Sequence, residues 1–227
     1  MYNYQIVGGE TFAELHVQLN PGEAIRAETG VMSYMDGTVQ IETSSGGILT
    51  GIKRKFSGES FFLNTFTGPG KIVFAPPFPG SIQAFEITPD SAMILQQGSY
   101  LAGSLNVKIS SKWGGFRSIF AGEGAFLTHA SVEEGKGIFF TGASGIVVRH
   151  EIPPGQEFVV DTGIFFATTE NAQFKLSRVG KGKSFLFGGE GLVLRFFGPC
   201  VVYTQSRVPF HFLFRSGSGG SALDLIT

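Results

Sequence analysis

FSGES, residues 56–60, returns as FAGEG at 120–124 and as FGGEG at 187–191. Each copy of this F-x-G-E turn follows a proline turn: NPGEA at 20–24, TPDSA at 88–92 and PPGQE at 153–157. Pro21 to Phe56, Pro89 to Phe120 and Pro154 to Phe187 span 35, 31 and 33 residues. Nine residues after those prolines stand Gly30, Gly98 and Gly163. A common order with near-constant spacing marks an internal repeat, one small unit written three times.

The segments between the turns have strand periodicity. Ala13, Leu15, Val17 and Leu19 alternate with polar residues, as on a half-buried strand. Val39 with Ile41, Phe85 with Ile87, and Leu105 with Val107 and Ile109 follow the same rule. Phe61–Phe62, Phe139–Phe140, Phe165–Phe166 and Phe196–Phe197 are apolar pairs. Neighbours on a strand point to opposite faces, so each pair is expected to put one ring into each of two packing layers. PG at 21–22, 79–80 and 154–155, DG at 36–37 and GPG at 68–70 punctuate the runs as turns.

Composition agrees with an all-β reading. Of 227 residues, 33 are Gly and 24 Phe, while only 15% are charged. So much apolar surface and so little charge exclude a disordered chain. The net charge of −1 supplies no broad field for nucleic acid or an anionic membrane. Cys200 is the single cysteine, which excludes an intrachain disulfide and a four-cysteine metal site, and fits a reducing compartment. MYNYQIVGGETF has neither a basic region followed by an apolar one nor an Arg-rich amphipathic character, so no targeting segment is expected. The longest uncharged run, between Asp90 and Lys108, contains Gln96, Gln97, Gly98 and Gly103 and makes a poor membrane span.

GGILTGIKRKFSGESFFLNTF, 46–66, together with the proline turns and the later FAGEG and FGGEG stretches, resembles the altered-inheritance-of-mitochondria family and its uncharacterised bacterial and archaeal members. The resemblance implies a fold like that of the tryptophan RNA-binding attenuation protein. Each repeat would be a β-sandwich or short double-stranded β-helix, and the three would form a pseudo-threefold ring. It brings no catalytic or cofactor-binding residues with it.

The expected architecture is therefore all-β, with repeats at 1–85, 86–150 and 151–216 and a flexible tail at 217–227, read from SGSGGS at 216–221. The candidate contacts are the repeated turns, Gly58 and Glu59, Gly122 and Glu123, and Gly189 and Glu190, with the basic run Lys53, Arg54 and Lys55. The plain reading of each Glu is a solvated residue on a glycine turn. Symmetry suggests a sharper one, in which three carboxylates converge and are held by Lys53–Lys55, Lys112 and Arg117, and Lys181 and Lys183. The basic run, next to Phe56 and matched by Trp113 and Phe116, has the ingredients of a single-strand binder, but the net charge favours a solvated turn.

Other motifs are weaker. GKGKS at 180–184 has Ser177 where a phosphate loop needs its first Gly. His16, His129, His150 and His211 include no H-x-H pair. His129 with Glu133 and Glu134, and His150 with Glu151, could contribute to a metal site only with distant ligands, and isolated histidines on strands read as structural. Cys200, in FFGPCVVY, reads as a buried inert thiol. Asp161 stands in VVDTG, the D-T-G of aspartic proteases, but its counterparts in the other repeats are Glu28 and Gln96. Those enzymes need two carboxylates sharing a proton. FHFLF at 210–214 is expected either to close the third unit or to form an oligomer contact.

The function expected from the sequence is that of a non-catalytic, cytoplasmic scaffold or protein-interaction protein. No enzyme activity, cofactor, metal or transmembrane segment is expected. The partner is an unidentified protein, with a homo-oligomer as a further expectation and nucleic acid disfavoured. The alternative is a small-ligand or RNA-binding module that uses surfaces between repeats.

Overall fold

A computed structural model describes residues 2–43, 63–110, 127–178 and 192–209. Among these residues every regular element is a β-strand. The first seven are β1 (Asn3–Val7), β2 (Glu14–Leu19), β3 (Ala24–Glu28), β4 (Met32–Met35), β5 (Gln40–Thr43), β6 (Leu63–Thr67) and β7 (Gly70–Phe74). Then come β8 (Ile82–Ile87), β9 (Met93–Gln96), β10 (Tyr100–Ser104), β11 (Lys108–Ser110), β12 (Leu127–Ser131) and β13 (Gly137–Gly142). The last six are β14 (Val147–Ile152), β15 (Glu157–Asp161), β16 (Phe165–Thr169), β17 (Gln173–Arg178), β18 (Leu192–Phe197) and β19 (Cys200–Gln205).

Four antiparallel sheets result. Two have six strands, in the orders β5-β6-β3-β10-β13-β8 and β11-β12-β9-β16-β19-β14. The second order is the first with six added to every strand number. The remaining sheets, β1-β2-β7-β4 and β15-β18-β17, stand at the two ends of this series. Each six-stranded sheet is joined at its centre by a distant pair. Ala27 faces Ala102 where β3 meets β10, and Leu95 faces Ala167 where β9 meets β16. A pseudo-threefold ring within one chain would also require β15 to pair with β4. Among the described residues these two strands are not paired.

The turns form where the sequence marks them. Gly22, Gly30, Gly98 and Gly155 have φ of 78°, 93°, 79° and 77°, a region that suits glycine because it has no Cβ. Gly80 serves differently. It bridges Phe12 on one side and Gly145 on the other, so close that an added Cβ would lie 1.7 Å from the Ala143 carbonyl oxygen.

Among the described residues three hydrophobic clusters fill the interior. The first gathers Leu15, Val17, Phe66, Phe74 and Phe140. The second gathers Leu95, Tyr100, Phe139 and Phe166. The third gathers Ile94, Phe165, Phe174 and Phe196. The Phe pairs on β13 and β16 thus do what alternation dictates. Phe139 and Phe140 enter different clusters, as do Phe165 and Phe166. Full burial of one such ring stabilises the fold by about 1.5–3 kcal/mol, so these strands hold adjacent clusters together.

Other expectations shift. Phe197 does not enter a second cluster; its ring is half-buried and carries the Lys175 ammonium 5.1 Å from its centroid. Leu105 lies in the turn closed by the Val107 N–H to the Ser104 carbonyl and is exposed, because the strand there starts only at Lys108. Ile41 is exposed although Val39 is buried. The pair Phe61–Phe62 lies outside the described residues.

Candidate binding cleft

The sequence-derived contacts Lys53, Arg54, Lys55, Gly58, Glu59, Gly122, Glu123, Gly189 and Glu190 all lie outside the described residues. So do Lys112, Trp113, Phe116, Arg117, GKGKS, FHFLF with its His211, and the tail 217–227. In chain order the three F-x-G-E turns occupy corresponding places. They connect β5 to β6, β11 to β12 and β17 to β18, each an adjacent antiparallel pair.

The described residues contain a cleft that no sequence motif marks. It opens between the turn after β3 and the turn after β9. An inner cavity of about 40 Å³ and an outer one of about 370 Å³ share Glu28, Val31, Pro77, Phe78, Gln97 and Gly98 in their walls. The outer volume falls in the range of small-molecule pockets, about 300–1,000 Å³. Positive φ at Gly30 and Gly98 lets both turns fold back tightly, and neither glycine puts a side chain into the opening. The segment 76–78, Pro-Pro-Phe, forms an apolar rim, with Phe78 38% exposed.

Glu28 is the charged group of this cleft. Its carboxyl is half-buried and makes no ion pair or hydrogen bond among the described residues. Burial pushes its pKa above the usual carboxylate range. Behind it the Tyr100 hydroxyl donates to the Arg26 carbonyl at 3.2 Å, and burial pushes that phenol well up. A desolvated carboxylate beside an apolar rim favours either a proton or a cationic or donor group.

The corresponding junction further along the chain is filled, and the side chains that fill it form one wall of the inner cavity. Gln96, in the place that Glu28 occupies on β3, is 4% exposed. Its Nε2 donates to the Gly163 carbonyl at 3.3 Å, and Gln205 Nε2 donates to Gln96 Oε1 at 2.7 Å and to Gly163 O at 3.0 Å. The Ser144 N–H donates to Gln205 Oε1 at 3.0 Å. Both amides thus find partners for donor and acceptor, the condition for burying them. Gly142 takes the place of Gln205 at the Glu28 junction, since both residues end the matching strand pairing, Gly142 opposite Ile82 and Gln205 opposite Val147. Where a side chain plugs one junction, the other is left open. The sequence carries this signal in the aligned residues Glu28 and Gln96, whose motif by itself points only to protease-like positions.

The remaining candidates have local partners. Asp161 Oδ1 accepts the Gly163 N–H at 2.8 Å and so caps its own turn. His16 Nε2 lies 2.9 Å from Glu14 Oε2, and His129 Nε2 lies 3.1 Å from Glu170 Oε1 rather than beside Glu133 or Glu134. His150 Nε2 meets Thr204 Oγ1 at 2.9 Å, not Glu151, whose carboxylate pairs with Arg149. Among the described residues no three His, Cys, Asp or Glu side chains converge. Cys200 is half-buried, and burial raises its pKa, which keeps the thiol protonated. No helix long and apolar enough to cross a membrane occurs among the described residues.

Comparison with known proteins places this fold. An uncharacterised protein of Streptococcus pyogenes serotype M6 is 25% identical over 207 residues, covering 86% of this chain and 82% of that one. A Streptococcus pyogenes protein solved by X-ray crystallography superimposes with a TM-score of 0.76 at 23% identity, covering 95% of this chain and 98% of that one. The model of the family described as Mitochondrial biogenesis AIM24 matches residues 4–207, nearly the whole of the described chain, and the chain therefore belongs to that family.

Proposed function

We propose that this protein is a non-catalytic interaction scaffold made of three like modules in series, which binds a partner in the cleft beside Glu28. The modules are β2–β7, β8–β13 and β14–β19. The six-strand offset between the two large sheets supports this division. On this reading the limits fall in the connections 75–81 and 143–146 rather than at 85/86 and 150/151, positions that lie within β8 and β14. The F-x-G-E turns, with Glu59, Glu123 and Glu190 and the basic run Lys53–Lys55, then recur once per module as further contacts.

The observation that carries the reading is the contrast between junctions. One is plugged by Gln205 and Gln96, and its counterpart leaves a cleft over a half-buried Glu28 that has no side-chain partner among the described residues. The cleft suits a protruding basic or hydrogen-bond-donating side chain of a protein partner, whose apolar stem would lie on Phe78 and Pro77. A cytoplasmic setting fits the single cysteine.

Capture from lysate tests the proposal, with unaltered protein and Gln97→Trp as parallel baits. A specific protein retained by the first and lost from the second supports it. A co-purifying small molecule displaced by the same substitution would favour the ligand-binding alternative, and salt-sensitive RNA binding would favour the nucleic-acid form of that alternative. Identical capture by both baits removes the cleft from the function.

A further inference from the structure

We propose that the exposed edges of β4 and β15 pair with each other between two copies of this chain, so that the protein assembles head to tail. The argument starts from exposure. At the two joined sheets the strands that accept a distant partner, β10 and β16, are buried: Tyr100 2%, Ala102 0%, Phe165 2% and Ala167 0% exposed. The matching strand at the start of the series is β4, as its bulged pairing with β7 repeats that of β10 with β13 and of β16 with β19. It is apolar too, yet Met32 is 37% and Tyr34 50% exposed. At the other end, β15 matches β3 and β9, and its Val159 is 45% exposed. An uncovered apolar sheet edge is a template for pairing with another strand.

Register and hydrogen-bond direction agree on how the two edges fit. The joined sheets place Ala102 opposite Ala27 and Gly103 opposite Arg26, antiparallel. Carried over to the matching positions, this register sets Tyr34 opposite Val160 and Met35 opposite Val159. The hydrogen bonds give a separate check. The Thr162 N–H donates to Leu192 O at 3.1 Å. Alternation along the strand then turns Val160 and Phe158 toward β18 and leaves the backbone polar groups of Val159 facing outward. The Asp36 N–H donates to Lys71 O at 2.9 Å, and the same alternation leaves those of Met35 facing outward. Met35 and Val159 are thus the pair that both arguments set face to face, with N–H and C=O groups on each side that have no strand partner among the described residues. The occupant of either edge is the opposite edge of a second copy. Such a heterologous contact generates a closed ring when the rotation per chain divides the circle, and a filament when it does not.

Sedimentation with single-edge variants tests this. Unaltered protein is expected to sediment as a species heavier than the 24.3 kDa chain. Tyr34→Lys places a charge where the joined sheets bury Ala102 and Ala167. Val159→Pro removes an outward N–H, a change that edge strands tolerate. Each variant is expected to be a folded monomer, and an equal mixture of the two to form a dimer and nothing larger, since one intact edge of each remains. A second measurement stands apart from the folding of these variants. In Met35→Cys/Val159→Cys with Cys200→Ser, facing Cα atoms about 5.5 Å apart allow a disulfide, and oxidation is expected to link chains into a ladder on a non-reducing gel. Four results would overturn the proposal: a wild-type monomer at every concentration, oligomers that survive both substitutions, a mixture that stays monomeric, or a cross-link formed only within one chain.

Discussion

Gln205→Ala probes the plugged junction directly. The side chain is 2% exposed, and its removal deletes three hydrogen bonds: those to Gln96 Oε1, to Gly163 O and from the Ser144 N–H. Gly163 O keeps Gln96 Nε2 at 3.3 Å, so it is not orphaned. Gln96 Oε1 is left buried with no partner, at a cost of about 1–3 kcal/mol. Ser144 is half-buried beside the inner cavity, so water satisfies its N–H and little is added there. The void left by the amide adds about 1 kcal/mol. The expected loss is therefore about 2–4 kcal/mol, read from urea unfolding as a lower midpoint at unchanged slope. Gln205→Glu makes a sharper companion. Its carboxylate would face Gln96 Oε1 and Gly163 O with no donor between, which raises its folded pKa. At neutral pH it should cost more than Gln205→Ala, and it should recover as pH falls through that raised pKa. A loss under about 1 kcal/mol for Gln205→Ala, or a Glu variant indifferent to pH, would refute the view that this network locks the junction.

Three further outcomes follow from the packing and the Glu28 cleft. Phe140→Ala empties a fully buried position and should cost about 3–5 kcal/mol, whereas Phe197→Ala, at a half-buried ring, should cost clearly less; chemical denaturation of the two variants side by side decides it. Glu28→Gln should raise Tm at neutral pH, because burial raises the Glu28 pKa in the folded state. The gain should vanish on acidification below the unfolded-state value, where Glu28 is neutral in both states, and melting curves across pH read it. Gly80→Ala places a methyl 1.7 Å from the Ala143 carbonyl oxygen and should prevent normal folding, while Gly9→Ala, with nothing within 4 Å of the added atom, meets only the strain of its φ of +67°. Expression yield and circular dichroism separate those two.

The cleft was partly legible in the sequence. The nine-residue spacing aligned Glu28, Gln96 and Asp161, and the structure gives these three residues different surroundings: an open cleft, a buried amide pair and a turn cap. Residue type alone could not tell them apart, because what differs is the opposite strand end, Gly142 in one case and Gln205 in the other. Those residues lie more than a hundred positions from their counterparts on β3 and β9.

What the sequence determined by itself was the local grammar. Alternation assigned Leu15, Val17 and Leu19 to one buried face, glycines fixed the turns at 22, 30, 98 and 155, and the phenylalanine pairs at 139–140 and 165–166 announced strands covered on both sides. Those are properties of a few adjacent bonds and need no partner to be read. Tertiary structure alone decided which strand lies beside which. β3 takes β10 as its neighbour rather than the adjacent β4, and β9 takes β16. A period of two reports which face of a strand is apolar, but an antiparallel ladder offers the same backbone groups to any strand. The choice among partners is made by side chains that meet only after the chain has folded.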